Sequence, residues 1–255
     1  MKFEKWSGLG NDFIFTTGTE LPPGLDARKL CDRKNGIGAD GVILISPRSG
    51  NEFGMRIINA DNSEAAMCGN ASRCAAKFLH NHHPELGTAF KLRTISRTVA
   101  AEVRPDGLVT VDMGKPEHFL GRITLAACGK TFQAETVSMG NPHAVIFVED
   151  MDAVELEKWG PVLEHDAQFP DRCNIEFLQR LSPEKFRMRV WERGCGVTAA
   201  CGTGSCASMV ASRMCGLAAP EAEIILDGGV LFLRHDPRGP VFMTGDAQLI
   251  FTGEI

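Results

Sequence analysis

Apolar residues fall along the chain in short blocks. Gly41 to Ile45, Met55 to Ile58, Ala144 to Val148, Arg187 to Trp191, Val230 to Leu233 and Gln248 to Phe251 are rich in β-branched and large apolar side chains and predict strands. Leu108 to Met113 reads the same way. Two segments break the pattern and predict helices: Ala71 to His80, and Cys206 to Cys215, stopped by Gly216. Each follows a Cys-Gly pair, so Cys68 and Cys201 stand at loop-to-helix junctions. The expected class is mixed α/β (α+β).

The blocks repeat. Phe53-Gly54-Met55-Arg56-Ile57 recurs 133 residues later as Phe186-Arg187-Met188-Arg189-Val190. In the same register Ala66 meets Ala199, Cys68 meets Cys201, Gly69 meets Gly202 and Ser72 meets Ser205. Gly10-Asn11 followed by Ile14-Phe15 echoes Gly140-Asn141 followed by Ile146-Phe147, and Asp32-Arg33-Lys34-Asn35 echoes Asp171-Arg172-Cys173-Asn174. Landmarks in one order predict two pseudo-symmetric domains. The expected division is 1–115 with about 245–255 for the Cys68 half, and 116–244 for the Cys201 half.

Composition narrows the function. The chain has 255 residues, with 27 Lys+Arg against 32 Asp+Glu and a net charge of −5. Without a basic run, binding to a nucleic-acid backbone is not expected. No stretch reaches the ~18 apolar residues of a membrane span, and Met1 to Trp6 lacks the apolar core of a signal peptide. A cytoplasmic protein with reduced thiols is expected. Nine cysteines cannot all pair, and none has the close CxxC spacing of structural zinc, so no metal is expected.

Two of those cysteines carry the candidate chemistry. Free N–H groups and the positive end of the dipole at a helix N-terminus lower a thiol's pKa towards neutrality and attract a carboxylate. Gly69, Ala71, Gly202 and Gly204 let a ligand approach the backbone. Two equivalent thiols form a two-base site suited to inverting a stereocentre, one removing a proton while the other delivers one to the opposite face. Cys31, Cys74, Cys128, Cys173, Cys195, Cys206 and Cys215 read as small, inert, buried hydrophobes.

At this point the motifs resemble the diaminopimelate epimerase family over essentially the whole chain. Those that carry the likeness are Gly8-Leu9-Gly10-Asn11-Asp12-Phe13, Gly36-Ile37-Gly38-Ala39-Asp40-Gly41, Asn59-Ala60-Asp61-Asn62-Ser63-Glu64, Cys68-Gly69-Asn70, Gly140-Asn141-Pro142-His143, Asn174, Glu192-Arg193-Gly194 and Ala200-Cys201-Gly202-Thr203-Gly204. The resemblance implies two similar domains, each a β-barrel-like sheet around a central helix, with the active site in the cleft between them. It implies an isomerase that interconverts LL- and meso-diaminopimelate for lysine and peptidoglycan precursor synthesis, without pyridoxal phosphate or any other cofactor.

Carried over by position, Cys68 and Cys201 are the acid and base. Asn70 with the Gly69 amide, and Gly202 with Thr203, hold the reacting end of the small amino-acid substrate. Asn11, Asn59, Asn174 and Arg193 read its distal zwitterion, Asn141 joins the binding set, and His143 and Glu192 are polar partners near the cysteines and the reacting amino group. A homodimer is expected.

Some positions depart from the family pattern. Val197 replaces a usual glutamate, Asn62 stands where glycine is usual, Asp246 where proline is common, and Phe251 at a usual tyrosine. Three other functions fit the residues less well: a racemase of histidine or lysine on the same scaffold, a hydrolase using Cys201 with His143 as its base, and a non-catalytic amino-acid-binding module.

Overall fold

The computed structural model describes the backbone of residues 1–255 and every side chain except those of His118 and Phe119. Its contacts divide the chain into two compact units, Met1–Asp112 with Thr244–Ile255, and Met113–Met243.

In the first unit the strand Lys2–Gly8 runs antiparallel to Gln248–Glu254 on one side and to Asn11–Thr17 on the other. Asn11–Thr17 pairs in parallel with Gly41–Ser49, which turns back antiparallel onto Glu52–Asn59. Glu52–Asn59 is parallel to Ala89–Arg93, and Thr98–Val103 and Val109–Asp112 complete the series antiparallel. The short helix α1, Ala27–Cys31, lies in the crossover between the first parallel pair. Val42, Ile43, Leu44 and Ile45 are all buried, the mark of a strand covered on both faces. One cover is α1, while the helix α2, Gly69–His82, packs on Lys2–Gly8, Ala89–Arg93, Thr98–Val103 and Val109–Asp112 and is buried around nearly its whole circumference from Gly69 to Ala76. Its run of alanine, serine and cysteine is what lets a helix sit so close to a sheet.

The second unit repeats the plan. Glu117–Ala127, Lys130–Ser138 and Pro142–Val148 are successively antiparallel, Pro142–Val148 is parallel to Asn174–Ser182, and Lys185–Glu192 follows antiparallel. Lys185–Glu192 is parallel to Glu221–Leu226, which pairs antiparallel with Gly229–His235. Helix α3, Leu156–Glu164, occupies the crossover, and helix α4, Gly202–Met214, is the central buried helix.

Six of the blocks predicted as strands lie within one, Leu108 to Met113 overruns the strand Val109–Asp112 by a residue at each end, and both predicted helices exist, but α4 begins four residues before the predicted Cys206. Gly202 and Gly204 sit in its first turn, where each is disfavoured by about 1 kcal/mol relative to alanine, so propensity alone places the start too late. The cysteine expectation also needs correction. Cys31, Cys74, Cys173 and Cys206 are buried, and burial pushes the Cys31 thiol up to about 11 and that of Cys74 to about 12. Cys215 is half-buried, while Cys128 and Cys195 are exposed. Cys128 and Gly129 form the tight turn of the hairpin between Glu117–Ala127 and Lys130–Ser138, both left-handed with φ 51° and 80°, which turns the cysteine away from any core. Cys195 lies in the turn after Glu192, its N–H donated to the Glu192 carbonyl.

A charge cluster ties the start of the first unit together. Asp12 receives Lys5 at 2.8 Å and both guanidinium arms of Arg33 at 3.0 and 2.8 Å, while Arg33 also reaches Asp40 at 2.8 Å. Lys5, itself buried, donates to the Gly38 carbonyl as well. Burial alone would raise the Asp12 carboxyl, but the hydrogen bonds and charges of Arg33 and Lys5 outweigh it and hold it at about 2, below its usual 3.8. The folded chain then binds fewer protons at Asp12 than the unfolded chain. The stabilisation is therefore complete above pH 3.8 and lost as pH falls through about 2. Asp12→Asn is expected to lose about 1–2 kcal/mol at pH 7, allowing for solvent screening, and to flatten the acid limb of a urea-denaturation series. An acid limb identical to that of the parent protein would refute the assignment.

Candidate active site

Cys68 and Cys201 occupy the same place in their two units. Each is the N-cap of the central helix, with extended backbone angles of −146° and 119° for Cys68 and −122° and 112° for Cys201. Each sulfur accepts an N–H from the third helical residue, Ala71 at 3.5 Å and Gly204 at 3.3 Å. Ser72 and Ser205 repeat the likeness by donating their hydroxyls to the Cys68 and Cys201 carbonyls, both at 2.8 Å. The first intrahelical bonds are Ser72 to Cys68 and Ser205 to Cys201. The N–H groups of Gly69, Asn70, Gly202 and Thr203 therefore have no acceptor within their helices.

In the first unit the tight turn Leu9-Gly10, left-handed at both residues with φ 54° and 88°, delivers Asn11 to the head of its strand. Asn70, buried on α2, donates its side-chain amide to the Asn11 oxygen, and Asn11 donates to Asp40 at 3.2 Å. The structure thus brings together Asn11 and Asn70, which the resemblance assigns to opposite ends of the substrate. Asn59 ends its strand opposite Gly41 and donates to the Ser63 hydroxyl at 2.9 Å, which fixes its own turn. Asp40 and the Arg33–Asp12 pair that supports it were not singled out as site residues. Their signal was an acid beside a glycine turn, too common to notice.

In the second unit a chain of polar contacts runs through the core. His143, fully buried, faces the Glu176 carboxylate with Nδ1 at 2.7 Å and the Asn141 amide oxygen with Nε2 at 3.0 Å. Both ring nitrogens are thus taken up by neighbouring side chains. Asn141 donates to the Thr203 hydroxyl at 3.3 Å, and that hydroxyl lies 3.6 Å from the Cys201 sulfur. Glu192 accepts from the Thr198 hydroxyl and from the Cys201 thiol. Asn174 donates to the Pro142 carbonyl at 2.8 Å and accepts the Arg193 N–H at 3.0 Å, while Arg193 extends its exposed guanidinium past the Asp171 carbonyl.

Glu176 is the site residue that sequence reasoning missed. It is the one acid inside the buried run Ile175 to Leu178 and lies on the same strand face as Asn174, two residues before it. A charge in a strand covered on both faces was the available signal.

The electrostatics differ from the simple helix-terminus expectation. Burial pushes the Cys201 thiol well above its usual value, and the Glu192 and Glu176 carboxylates push the same way. The Thr203 hydroxyl and the Gly204 N–H oppose this without offsetting it. Burial also raises the Glu192 carboxyl, against the pull of its bonds from Thr198 and Cys201. Burial and its two acidic neighbours thus favour the protonated form of Cys201, where the dipole alone would lower its pKa towards neutrality.

A family model described as diaminopimelate epimerase matches residues 3–119 and 135–250. The chain belongs to that family. It is 45% identical to a protein named diaminopimelate epimerase from Synechococcus sp. (strain JA-3-3Ab), over 99% of this chain and 97% of the relative. It is 42% identical to one of the same name from Carboxydothermus hydrogenoformans, over 100% and 99%. Among solved structures, a hydroxyproline epimerase from Agrobacterium vitis with bound trans-4-hydroxy-L-proline aligns with a TM-score of 0.70 at 16% identity, covering 100% of this chain and 90% of that one. A phenazine biosynthesis protein of the PhzF family from Enterococcus faecalis aligns at 0.74 and 14%, covering 100% and 99%. At these identities the likeness is one of fold.

Two departures from the family pattern now have a physical setting. Asn62 has φ 69°, a left-handed conformation that asparagine tolerates better than most residues, and its side chain accepts the Arg28 N–H at 3.2 Å. Val197 is 37% exposed on the short strand Gly196–Thr198, so it does not fill the core beside Cys201.

Gly204 is sterically required beside Cys201. A Cβ there would stand 2.6 Å from Glu176 Oε1 and 3.2 Å from the Cys201 sulfur. Gly204→Ala is expected to lower Tm by several degrees even though alanine is the better helix former by about 1 kcal/mol. A raised Tm would show that Glu176 is free to move aside.

Proposed function

We propose that the protein interconverts LL- and meso-2,6-diaminopimelate, in lysine and peptidoglycan precursor biosynthesis, by moving a proton at one α-carbon between Cys68 and Cys201. Family membership and the names of its curated relatives support the reaction. The observation that carries the mechanism is the repeated cysteine N-cap, one thiol at the head of each unit's central helix.

In one direction the Cys68 thiolate takes the α-proton while the Cys201 thiol delivers its own to the opposite face. The electron pair left on carbon spreads into the substrate carboxylate. The N–H groups of Gly69, Asn70, Gly202 and Thr203 meet that charge as fixed dipoles needing no reorganisation. Burial and two carboxylates hold Cys201 protonated, which fits the acid role at the start of a turnover. Glu192 and the His143–Glu176 pair set the charge around that sulfur.

The distal amino-acid group is read by Asn11, Asn59, Asn174 and Arg193. Carboxamides offer a zwitterion both donor and acceptor, and the exposed Arg193 guanidinium offers a carboxylate two parallel bonds. That cation favours a dicarboxylic substrate over histidine or lysine. The hydrolase alternative needs His143 as a base for Cys201, but both ring nitrogens are turned to Glu176 and Asn141. The reading includes a homodimer in the cytoplasm, and Leu249, Ile250 and Phe251, all exposed on one strand, offer an apolar face for the second copy.

The test is turnover of LL-diaminopimelate in deuterium oxide. With two thiols that each carry one proton, meso product should acquire solvent deuterium well before the recovered LL substrate does. Cys68→Ala and Cys201→Ala should each lose epimerisation by roughly 10²- to 10⁴-fold. Near-parental turnover in either variant, or equal early labelling of substrate and product, would reject the two-thiol mechanism.

A further inference from the structure

The second unit holds a basic cavity that the proposed reaction leaves unused. It encloses about 240 Å³, and its wall includes Lys115, Arg213, His235 and Arg238 on the polar side and Val210 and Met214 on the apolar side. Arg213 and Met214 belong to the last turn of α4, whose first residue adjoins Cys201. A helix of 13 residues separates the two places by about 20 Å.

The polar side has atoms without partners. His235 is only 3% exposed, yet neither ring nitrogen has a hydrogen-bond partner among the described residues. The Nε of Arg213 is likewise buried without one, although its Nη1 donates to the Ala218 carbonyl at 2.8 Å. The one N–H of a neutral His235 ring and the Arg213 Nε–H each cost about 1–3 kcal/mol if nothing accepts from them, and both residues line one cavity, which points to a ligand with acceptor atoms. The charge agrees. Three cations and, among the described residues, no acid line the space, and Asp236, next to His235 in the chain, accepts the Arg238 N–H of its own loop at 3.0 Å. The C-terminal end of α4 contributes about half a negative charge, too little to cancel three cations.

We propose that this cavity binds a phosphate monoester. Its dianionic oxygens would lie on Arg213, Lys115 and Arg238 with a ring N–H of His235, and its organic part against Val210 and Met214. A planar guanidinium fork beside flexible point charges is the usual recognition set for such a group, and the apolar wall distinguishes an ester from a bare anion.

His235 supplies an internal reporter. Burial holds its imidazole below the usual 6.5, the Arg213 charge adds to this, and Asp236 opposes it. The folded chain therefore binds fewer protons there than the unfolded chain, and stability falls as pH drops below 6.5. A dianion beside the ring raises its pKa and restores part of that loss.

The experiment titrates the full-length protein with glycerol 3-phosphate, inorganic phosphate and glycerol, following Tm and the imidazole resonances of ¹⁵N-histidine-labelled protein. Glycerol 3-phosphate should raise Tm, more at pH 6 than at pH 8, and shift the His235 resonances saturably. Inorganic phosphate should bind about tenfold more weakly, and glycerol should do nothing. The exposed pair Lys115→Gln/Arg238→Gln should lose about tenfold or more in affinity, the size of a charge-assisted hydrogen bond, with epimerase turnover unchanged. No saturable shift at millimolar ester, or undiminished binding by the double variant, would overturn the proposal. Equal affinity for phosphate and ester would overturn the monoester assignment.

Discussion

A cysteine sulfur that accepts the first-turn N–H of a buried helix is the interaction on which both halves of this protein are organised. It is a weak bond in itself, yet it decides where each central helix starts and which way each thiol points. Because the helix is enclosed by its sheet, the cap cannot fray into solvent, and the sulfur keeps a fixed position relative to the free N–H groups of Gly69 and Asn70 or of Gly202 and Thr203. The same cap appears in each of the two copies of one plan, so each unit presents one cysteine sulfur at the head of its central helix.

The copies have diverged in electrostatics while keeping their geometry. Around Cys201 stand the titratable side chains of Glu176, Glu192 and His143, a set with no counterpart at the equivalent strand positions of the first unit, where Ile43 stands two residues after Gly41. The first unit places its charges on Asp12, Lys5, Arg33 and Asp40, at the edge where Asn11 is held. One unit thus gathers its titratable groups around its N-cap cysteine, the other around the asparagine at the head of its second strand.

Much of this was legible in the sequence, for local reasons. Strands covered on both faces appear as unbroken apolar runs such as Val42 to Ile45, and the internal repeat picked Cys68 and Cys201 out of nine cysteines. What stayed hidden depends on contacts between distant segments. Two glycines disguise the first turn of α4, because the carboxylate that makes Gly204 necessary lies 28 residues earlier in the chain. The raised pKa of Cys201 is set by burial and by Glu192 and Glu176, none of which helix-end reasoning includes. His235 and Arg213 look like ordinary surface residues until the fold buries them beside one cavity.

The strand Gln248–Glu254 lies beside Lys2–Gly8, so the first unit is assembled from segments at both extremes of the described chain, whereas the second is continuous from Met113 to Met243. During synthesis the second unit has all its strands while the first still lacks an edge partner for Lys2–Gly8. That strand therefore waits with one row of N–H and C=O groups uncovered, open to the wrong neighbour until Gln248–Glu254 leaves the ribosome. The half of the molecule translated first is the half completed last.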